Sequence, residues 1–269
     1  MNTRKENLQK LSRLLDVMDR LREECPWNHA QTCESIRPRT IEEVYELSDA
    51  IIKNDAAGFK KELGDVLFHI VFYAKIQSEL GKFDIGDIAD AVSEKMIFRH
   101  PHVFGDGPKA STPEEIADTW ELVKAKEKGG NKRILSGIPD SMPSLLKAYF
   151  MQDKARGAGF DWEKKEDVWG KVREELGEFQ AELDGMGDDV EKAEGELGDY
   201  LFSIINAARL YGLDPDRALS RTCEKFKRRF TYLEEKTIRQ GRNLNDLTLA
   251  EMDSIWDEAK ALERKSQSE

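Results

Sequence analysis

Apolar residues in the first part of the chain recur at spacings of three and four: Leu8, Leu11, Leu15, Met18 and Leu21. That period puts them on one side of a helix. Pro26, in CPWNHAQT, ends it, because proline lacks the amide that a helix interior needs. The next helix is predicted to begin near Thr40, a hydroxyl N-cap with Glu43 three residues on. Its pattern directs Ile41, Val44, Leu47 and Ile51 toward a core and leaves Glu42, Glu43 and Glu46 on the opposite register. After a turn at NDAAG, a third helix covers roughly Phe59 to Leu80 and closes at Gly81, and a fourth runs from Ile85 to Phe98. RHPHVFGDGPKAST reads as irregular, and a further helix is predicted from Pro113, a good first-turn residue, to Glu127. No long Val/Ile/Thr-rich alternation argues for strands.

The pattern then restarts. Residues 129–144, GGNKRILSGIPDSMPS, have linker composition and divide an N-terminal domain, 1–128, from a C-terminal one, 145–269. LLKAYFMQDKARGAGFDW follows the opening helix and CPW; KVREELGEFQAEL follows RTIEEVYELSDAI. GELGDYLFSI follows KELGDVLFHI, 134 residues apart and identical at seven of ten positions. CEKFKRRF follows SEKMIFRH, and SIWDEAK follows DTWELVK. Five blocks in one order mark an internal duplication. Each copy has about a hundred residues, enough for a modest core of its own. The expected fold is all-α: two tandem helical bundles of four to five helices each.

In the first copy Glu43 and Glu46 are three apart on one helix, and Glu62 and Asp65 are three apart on the next. A step of three keeps each pair on one helix face. A short turn makes the two helices neighbours, so four carboxylates converge. The second copy repeats the set as Glu175, Glu178, Glu196 and Asp199, with Glu42 and Glu174 flanking the two sets. A lone Glu-x-x-Glu is ordinary solvated surface; two pairs on adjacent helices, written twice, are not. Converging carboxylates repel and need cations. Oxygen ligands without Cys or His favour Mg²⁺, with Mn²⁺ as a substitute. Mg²⁺ commonly bridges to phosphate, so the set suits a metal-complexed phosphate ester. A di-iron bundle would need Glu-x-x-His, which neither copy has. His29, His69, His100 and His102 all lie in the first copy and read as packing or hydrogen-bonding groups. Gly64 and Gly198, between the acids, would admit the close approach of a facing helix.

Net charge narrows the partners. The formal charge of -11 argues against extended nucleic acid. Cys25, Cys33 and Cys223 show no Cys-x-x-Cys spacing, so neither a zinc site nor a disulfide framework is indicated. The opening residues do not read as a signal peptide and no long apolar segment follows, which makes the cytoplasm the expected location, with no membrane partner. A triphosphate needs positive charge. Arg39 stands one turn before Glu43, as Lys171 stands before Glu175. Lys95 and Arg99 are matched by Lys225 and Arg229, and Trp120 and Lys124 by Trp256 and Lys260. A Trp beside a Lys can stack a base while the ammonium meets phosphate. One difference separates the copies. Seven residues after the aspartate stands Phe72 in the first and Asn206 in the second, which points to the second as the working site and to Asn206 as a nucleotide contact.

Together, CPWNHAQT, EEVYE with ELGD, HPHVFGD, GFDW, EELGE with ELGD, EKFKRRF and the terminal Trp and Lys resemble the MazG-type nucleoside triphosphate pyrophosphohydrolases, of the all-α NTP pyrophosphatase group, over essentially the whole length. The resemblance implies two MazG-like domains and Mg²⁺-dependent hydrolysis of ribo- and deoxyribonucleoside triphosphates to monophosphate and pyrophosphate, in the service of nucleotide-pool cleaning. It implies that Glu175, Glu178, Glu196 and Asp199 hold the metal and that the C-terminal copy is the principal catalytic one. Lys225, Arg229, Trp256 and Lys260 match nucleotide-contacting positions, Lys171 a phosphate-facing one, and a homodimer is implied. On this footing Glu174 or Glu175 takes the proton of the attacking water, and Lys171 assists the leaving pyrophosphate. The alternatives are a narrower dUTP or phosphoribosyl-ATP pyrophosphatase, and a non-enzymatic helical nucleotide sensor or scaffold.

Overall fold

The computed structural model describes residues 1–105, Thr112, Val123, 133–185 and 190–266. Every regular element among them is helical. The chain divides into two compact units, Met1–Pro113 and Glu114–Glu269.

In the first unit, α1 (Arg4–Glu24) opens with a capping box: the Thr3 hydroxyl accepts from the Glu6 amide, and the Glu6 carboxylate accepts from the Thr3 amide. Two otherwise unpaired donors are thereby satisfied. Pro26 then opens the one-turn helix α2 (Pro26–His29), where its missing N–H leaves nothing unpaired. α3 (Cys33–Ile52) begins earlier than the pattern predicts. Thr32, not Thr40, is the N-cap, exchanging hydrogen bonds with Ser35, so Pro38 lies inside the helix. The Thr40 hydroxyl instead bonds to the Ile36 carbonyl and to the Tyr73 hydroxyl, at 3.3 and 2.6 Å. Residues 53–55 form the turn, with Asn54 at a φ of 53°. α4 (Ala56–Glu79) is capped by Asp55 and α5 (Ile85–Arg99) by Asp84. One more turn, α6 (Pro101–Phe104), occupies a stretch that reads as irregular in sequence.

α3 packs along α4, and α1 packs on α4. Met18, Ile36, Val71, Phe72 and Ile76 form the core between them. The predicted inward stripe of α3 fares differently: Ile41, Val44 and Ile51 are exposed and Leu47 half-buried, while Ile36 and Ala50 are the residues buried. Glu43 takes the side of α3 that meets α4, which rotates the apolar stripe outward.

The second unit repeats the plan. After a 3₁₀ turn at Ile134–Gly137 come α7 (Ser144–Gly157), a 3₁₀ turn at Lys165–Asp167, α8 (Val168–Gly185) and α9 (Val190–Leu210). α10 (Pro215–Arg239) is capped by Asp214, and α11 (Leu249–Ser266) follows a 3₁₀ turn at Leu244–Asp246. α8 packs on α9, α7 on α9, and α10 on α11. The core cluster is Val168, Val172 and Ala207, with Tyr200 and Leu210 against it. Among the described residues nothing stands within 4 Å of where a Cβ would be at Gly64 or Gly198, apart from their own helices' backbone. The helix predicted over 113–127, with Trp120 and Lys124, lies outside the described residues apart from Val123.

Candidate metal and nucleotide site

Each unit brings three carboxylates together across its central helix pair. In the first, Glu43 of α3 meets Glu62 and Asp65 of α4, one oxygen from each lying within 4.8 Å of the others. Glu62 is buried. The Lys61 ammonium spans the cluster, 2.9 Å from Glu62, 3.5 Å from Asp65 and 3.7 Å from Glu46. Glu46 thus sits outside the three-oxygen group and is tied to it through the lysine. Burial, then the charges of Asp65, Glu46 and Glu62, push the Glu43 carboxyl above its ordinary value. Hydrogen bonding to Glu62 raises the Lys61 ammonium in turn.

In the second unit Glu175 of α8 meets Glu196 and Asp199 of α9, again within 4.8 Å. Here the buried carboxylate is Glu175. The cation comes from the other helix: Lys171 Nζ lies 2.6 Å from Glu175 and 2.9 Å from Glu174. Glu178 is exposed and outside the three-oxygen group, yet partial desolvation and then the charges of Glu175 and Glu196 push its carboxyl up. A carboxylate raised by its neighbours marks a site where positive charge is wanted. The donor set is oxygen throughout, which suits a hard divalent ion. Mg²⁺ holds oxygens at about 2.1 Å, and oxygens no more than 4.8 Å apart are near that reach.

A cavity of about 610 Å³ adjoins the second set. Lys171, Glu175 and Asp199 are in its wall, with Trp162, Val168 and Phe202 supplying apolar surface. Gln152, Asp161, Ser203, Asn206 and Arg209 supply polar surface. Arg209 donates to Asp161 and to the Asn206 Oδ1, at 3.1 Å and 2.9 Å. Burial opposes ionisation of Asp161, but hydrogen bonds from Arg209 and the Trp162 amide outweigh it and hold that carboxyl below its ordinary value. In the first copy the residue at the place of Asn206 is Phe72, 1% exposed and part of the core.

Apart from Lys171, the basic residues singled out by spacing fall elsewhere. On α10 and α11, Arg229 lies over the Trp256 ring, 5.9 Å from its centroid, and pairs with Glu263 at 2.7 Å. Trp256 also packs on Phe226, and Lys260 pairs with Asp257 at 2.9 Å. Lys225 is exposed on α10. None of these four lines the cavity. In the first unit Arg39 lies over Trp27, 5.6 Å from the ring centroid, while Lys95 and Arg99 are on α5. His29 and His100 use Nδ1 on the carbonyls of Arg22 and Met96, and His69 is buried.

The positions that spacing alone missed are Lys61, Gln152, Asp161, Trp162 and Arg209. Asp161 and Trp162 stand in GFDW, and Gln152 is a polar residue at a register where the first copy has Met18.

The sequence matches the MazG nucleotide pyrophosphohydrolase domain twice, over residues 31–104 and 164–233. The chain belongs to that family. The two matches cover the two helix pairs that carry the carboxylates. Relatives align over nearly the full length of this MazG-family chain. It is 39% identical over 261 residues to the nucleoside triphosphate pyrophosphohydrolase of Escherichia coli strain K12, covering 95% of this chain and 99% of that protein. It is 41% identical over 250 residues to the nucleoside triphosphate pyrophosphohydrolase/pyrophosphatase MazG of Thermotoga maritima, covering 92% and 94%. A Bacillus subtilis protein described as uncharacterized, YabN, is 42% identical over 243 residues, covering 90% of this chain and 49% of that one.

Proposed function

We propose that this chain hydrolyses ribo- and deoxyribonucleoside triphosphates to the monophosphate and pyrophosphate, and that the second copy does the work. The observation that carries the reading is the three-carboxylate cluster of Glu175, Glu196 and Asp199 beside a cavity of about 610 Å³. The relatives' names and the twofold family match support the same reaction class.

Glu175, Glu196 and Asp199 would hold Mg²⁺, with Glu178 completing the set; Mn²⁺ can replace it. The ion supplies Lewis acidity at phosphorus and lowers the pKa of water bound to it. The chain's residues do the rest. Glu174, exposed beside the cluster, takes the proton of the attacking water. Lys171, now paired with Glu174 and Glu175, meets a phosphate oxygen once the carboxylates are neutralised. Lys225 and Arg229 add positive charge for the departing pyrophosphate, and Trp256 and Lys260 contact the nucleotide.

A homodimer fits the surface. Leu63, Leu67 and Ile70 on α4, and their counterparts Leu197, Leu201 and Ile204 on α9, are exposed and flank Gly64 and Gly198. A second copy of the chain packed on these stripes would remove them from water and give the glycines their close neighbour. Among the described residues no helix is long and apolar enough to cross a membrane, and we place the activity in the cytoplasm, in nucleotide-pool cleaning.

Phosphorus NMR of the products tests the reaction. Monophosphate with pyrophosphate is expected; diphosphate with inorganic phosphate would overturn it. Chelation should abolish turnover, and Mg²⁺ should restore it.

A further inference from the structure

The two acidic clusters differ in the positive charge that the chain itself sets against them. In the first copy the Lys61 ammonium donates to both oxygens of Glu62, at 2.9 and 3.1 Å. It lies 3.5 Å from Asp65 and 3.7 Å from Glu46. One cation thus bridges three carboxylates on two helices, and two of the three belong to the converging group. The Glu62 side chain is 10% exposed and that of Lys61 63%, so the ammonium reaches the buried acid from the solvent side. A buried carboxylate without a partner charge is strongly destabilising, and here the neighbouring lysine supplies that charge.

The second copy is built differently. The offset of 134 that aligns the two ELGD helices sets Gly195 at the place of Lys61, where there is no side chain to reach the acids. Lys171 pairs with Glu174 and Glu175 on its own helix. Among the described residues no lysine or arginine forms an ion pair with Glu196 or Asp199. Arg39, which stands in the first copy where the second has Lys171, lies over the Trp27 ring. The neutralising charge therefore comes from α4 in the first copy and spans its helix pair. In the second it comes from α8 and leaves both α9 carboxylates without a cation of the chain.

We infer that Lys61 is the resident cation of the first copy, and that this copy is a latent metal site which takes a divalent ion only when the lysine is removed. An ion held by Glu62 at about 2.1 Å would lie no more than about 5 Å from the ammonium, and two cations at that distance repel. Binding it requires Lys61 to leave Glu62, Asp65 and Glu46 together. The second set of ligands expected from sequence, Glu43, Glu46, Glu62 and Asp65, thus has an ammonium in place of Mg²⁺. The first copy keeps its acidic cluster folded without metal, and the ion is left to the copy that has Gly195.

Mn²⁺ binding to the full chain, followed by the loss of the free-ion EPR signal, tests this without turnover. Glu62→Gln alone should leave the number of bound ions as it is in the wild type. Lys61→Met, which keeps the apolar stem and removes the charge, should add one bound ion per chain. Glu62→Gln placed in that background should remove the added ion. Lys61→Arg, which keeps a positive charge, should bind as the wild type does. Lys61→Gly, which copies the second unit, serves where Lys61→Met fails to fold. An ion lost from the otherwise wild-type chain on Glu62→Gln overturns the inference with no change at Lys61. A lysine-free variant that folds and gains no ion overturns it as well, and so does an equal gain in Lys61→Arg. Absence of triphosphate turnover by the wild type would overturn the hydrolase reading alone.

Discussion

The first copy sets its acidic cluster against a packed core, and the second sets the same cluster against a cavity. In the first, Phe72 and Met18 fill the space between α1 and α4, and the cation is Lys61, next to Glu62 on the same helix. In the second, Asn206 and Gln152 stand at those places, the space stays open, and the cation is Lys171, four residues before Glu175. The position equivalent to Lys61 is Gly195, and the position equivalent to Lys171 is Arg39, which lies over Trp27. Carboxylates are therefore the shared part of the design, and the volume beside them is the variable part. A triphosphate needs both.

The sharpest way to break this contrast is to remove the corresponding first-helix glutamate of the cluster from each copy, Glu175 on α8 and Glu43 on α3. Glu175→Ala should lower kcat on the order of 10²–10³-fold, the scale of losing one electrostatic element of an active site. Glu43→Ala should leave turnover largely in place. A substrate panel on both variants, with circular dichroism to show the helices intact, measures it; equal losses would erase the distinction between the copies. Next in size is the core. Phe72→Ala should cost about 3–5 kcal/mol in urea unfolding of the first copy, as aromatic deletions in packed cores do. Asn206→Ala, at the same register, should cost less stability and show its effect in kcat/KM.

Acid sensitivity sharpens the comparison further. The Asp161 carboxyl sits below its ordinary value, held there by Arg209 and the Trp162 amide against the effect of burial. A carboxyl lowered on folding contributes stability that is complete above its unfolded pKa, about 3.9, and is lost as pH falls through the folded value. Thermal melts taken from about pH 5 down to pH 2 should therefore show a slope that Asp161→Asn removes. Glu79, lowered chiefly by its hydrogen bond from Arg22 in the first copy, keeps its own slope and serves as the control. The smallest effect is expected at the helix glycines. Gly64→Ala should stabilise its helix by about 0.5–1 kcal/mol, since nothing among the described residues outside its own helix stands within 4 Å of the new Cβ. Gly198→Ala should do likewise in the monomer while weakening the proposed dimer, which sedimentation would register.

Much of this was legible in sequence, and the parts that were not have identifiable causes. α4 and α5 follow their apolar period to within a few residues, and Gly81 closes α4 with a φ of 65°. α3 starts at Thr32 because Thr32 and Ser35 form a capping box as good as the Thr40 and Glu43 pair, and the helix tolerates Pro38 one turn in. The exposed stripe of Ile41, Val44 and Ile51 shows that an apolar face need not be a core face; it can serve a second molecule. Lys61 stands four residues before Asp65, the spacing that Lys171 keeps to Glu175, so its contact with Asp65 was legible; its reach to Glu62 next to it and to Glu46 on α3 was not. Gln152 carried one weak signal, a polar residue in the register of a core methionine.

The sequence by itself determined the duplication, the helices and the acidic pairs on them, because each depends on residues three or four apart in one rigid element. Which carboxylates converge, which lysines reach them and which copy holds a cavity beside its carboxylates were decided only in three dimensions. A helix advances about 100° per residue, so a small rotation about its axis exchanges Glu46 for Glu43 at the meeting point. The cavity depends on side chains from α7 and α9, some fifty residues apart, whose joint volume no local pattern records.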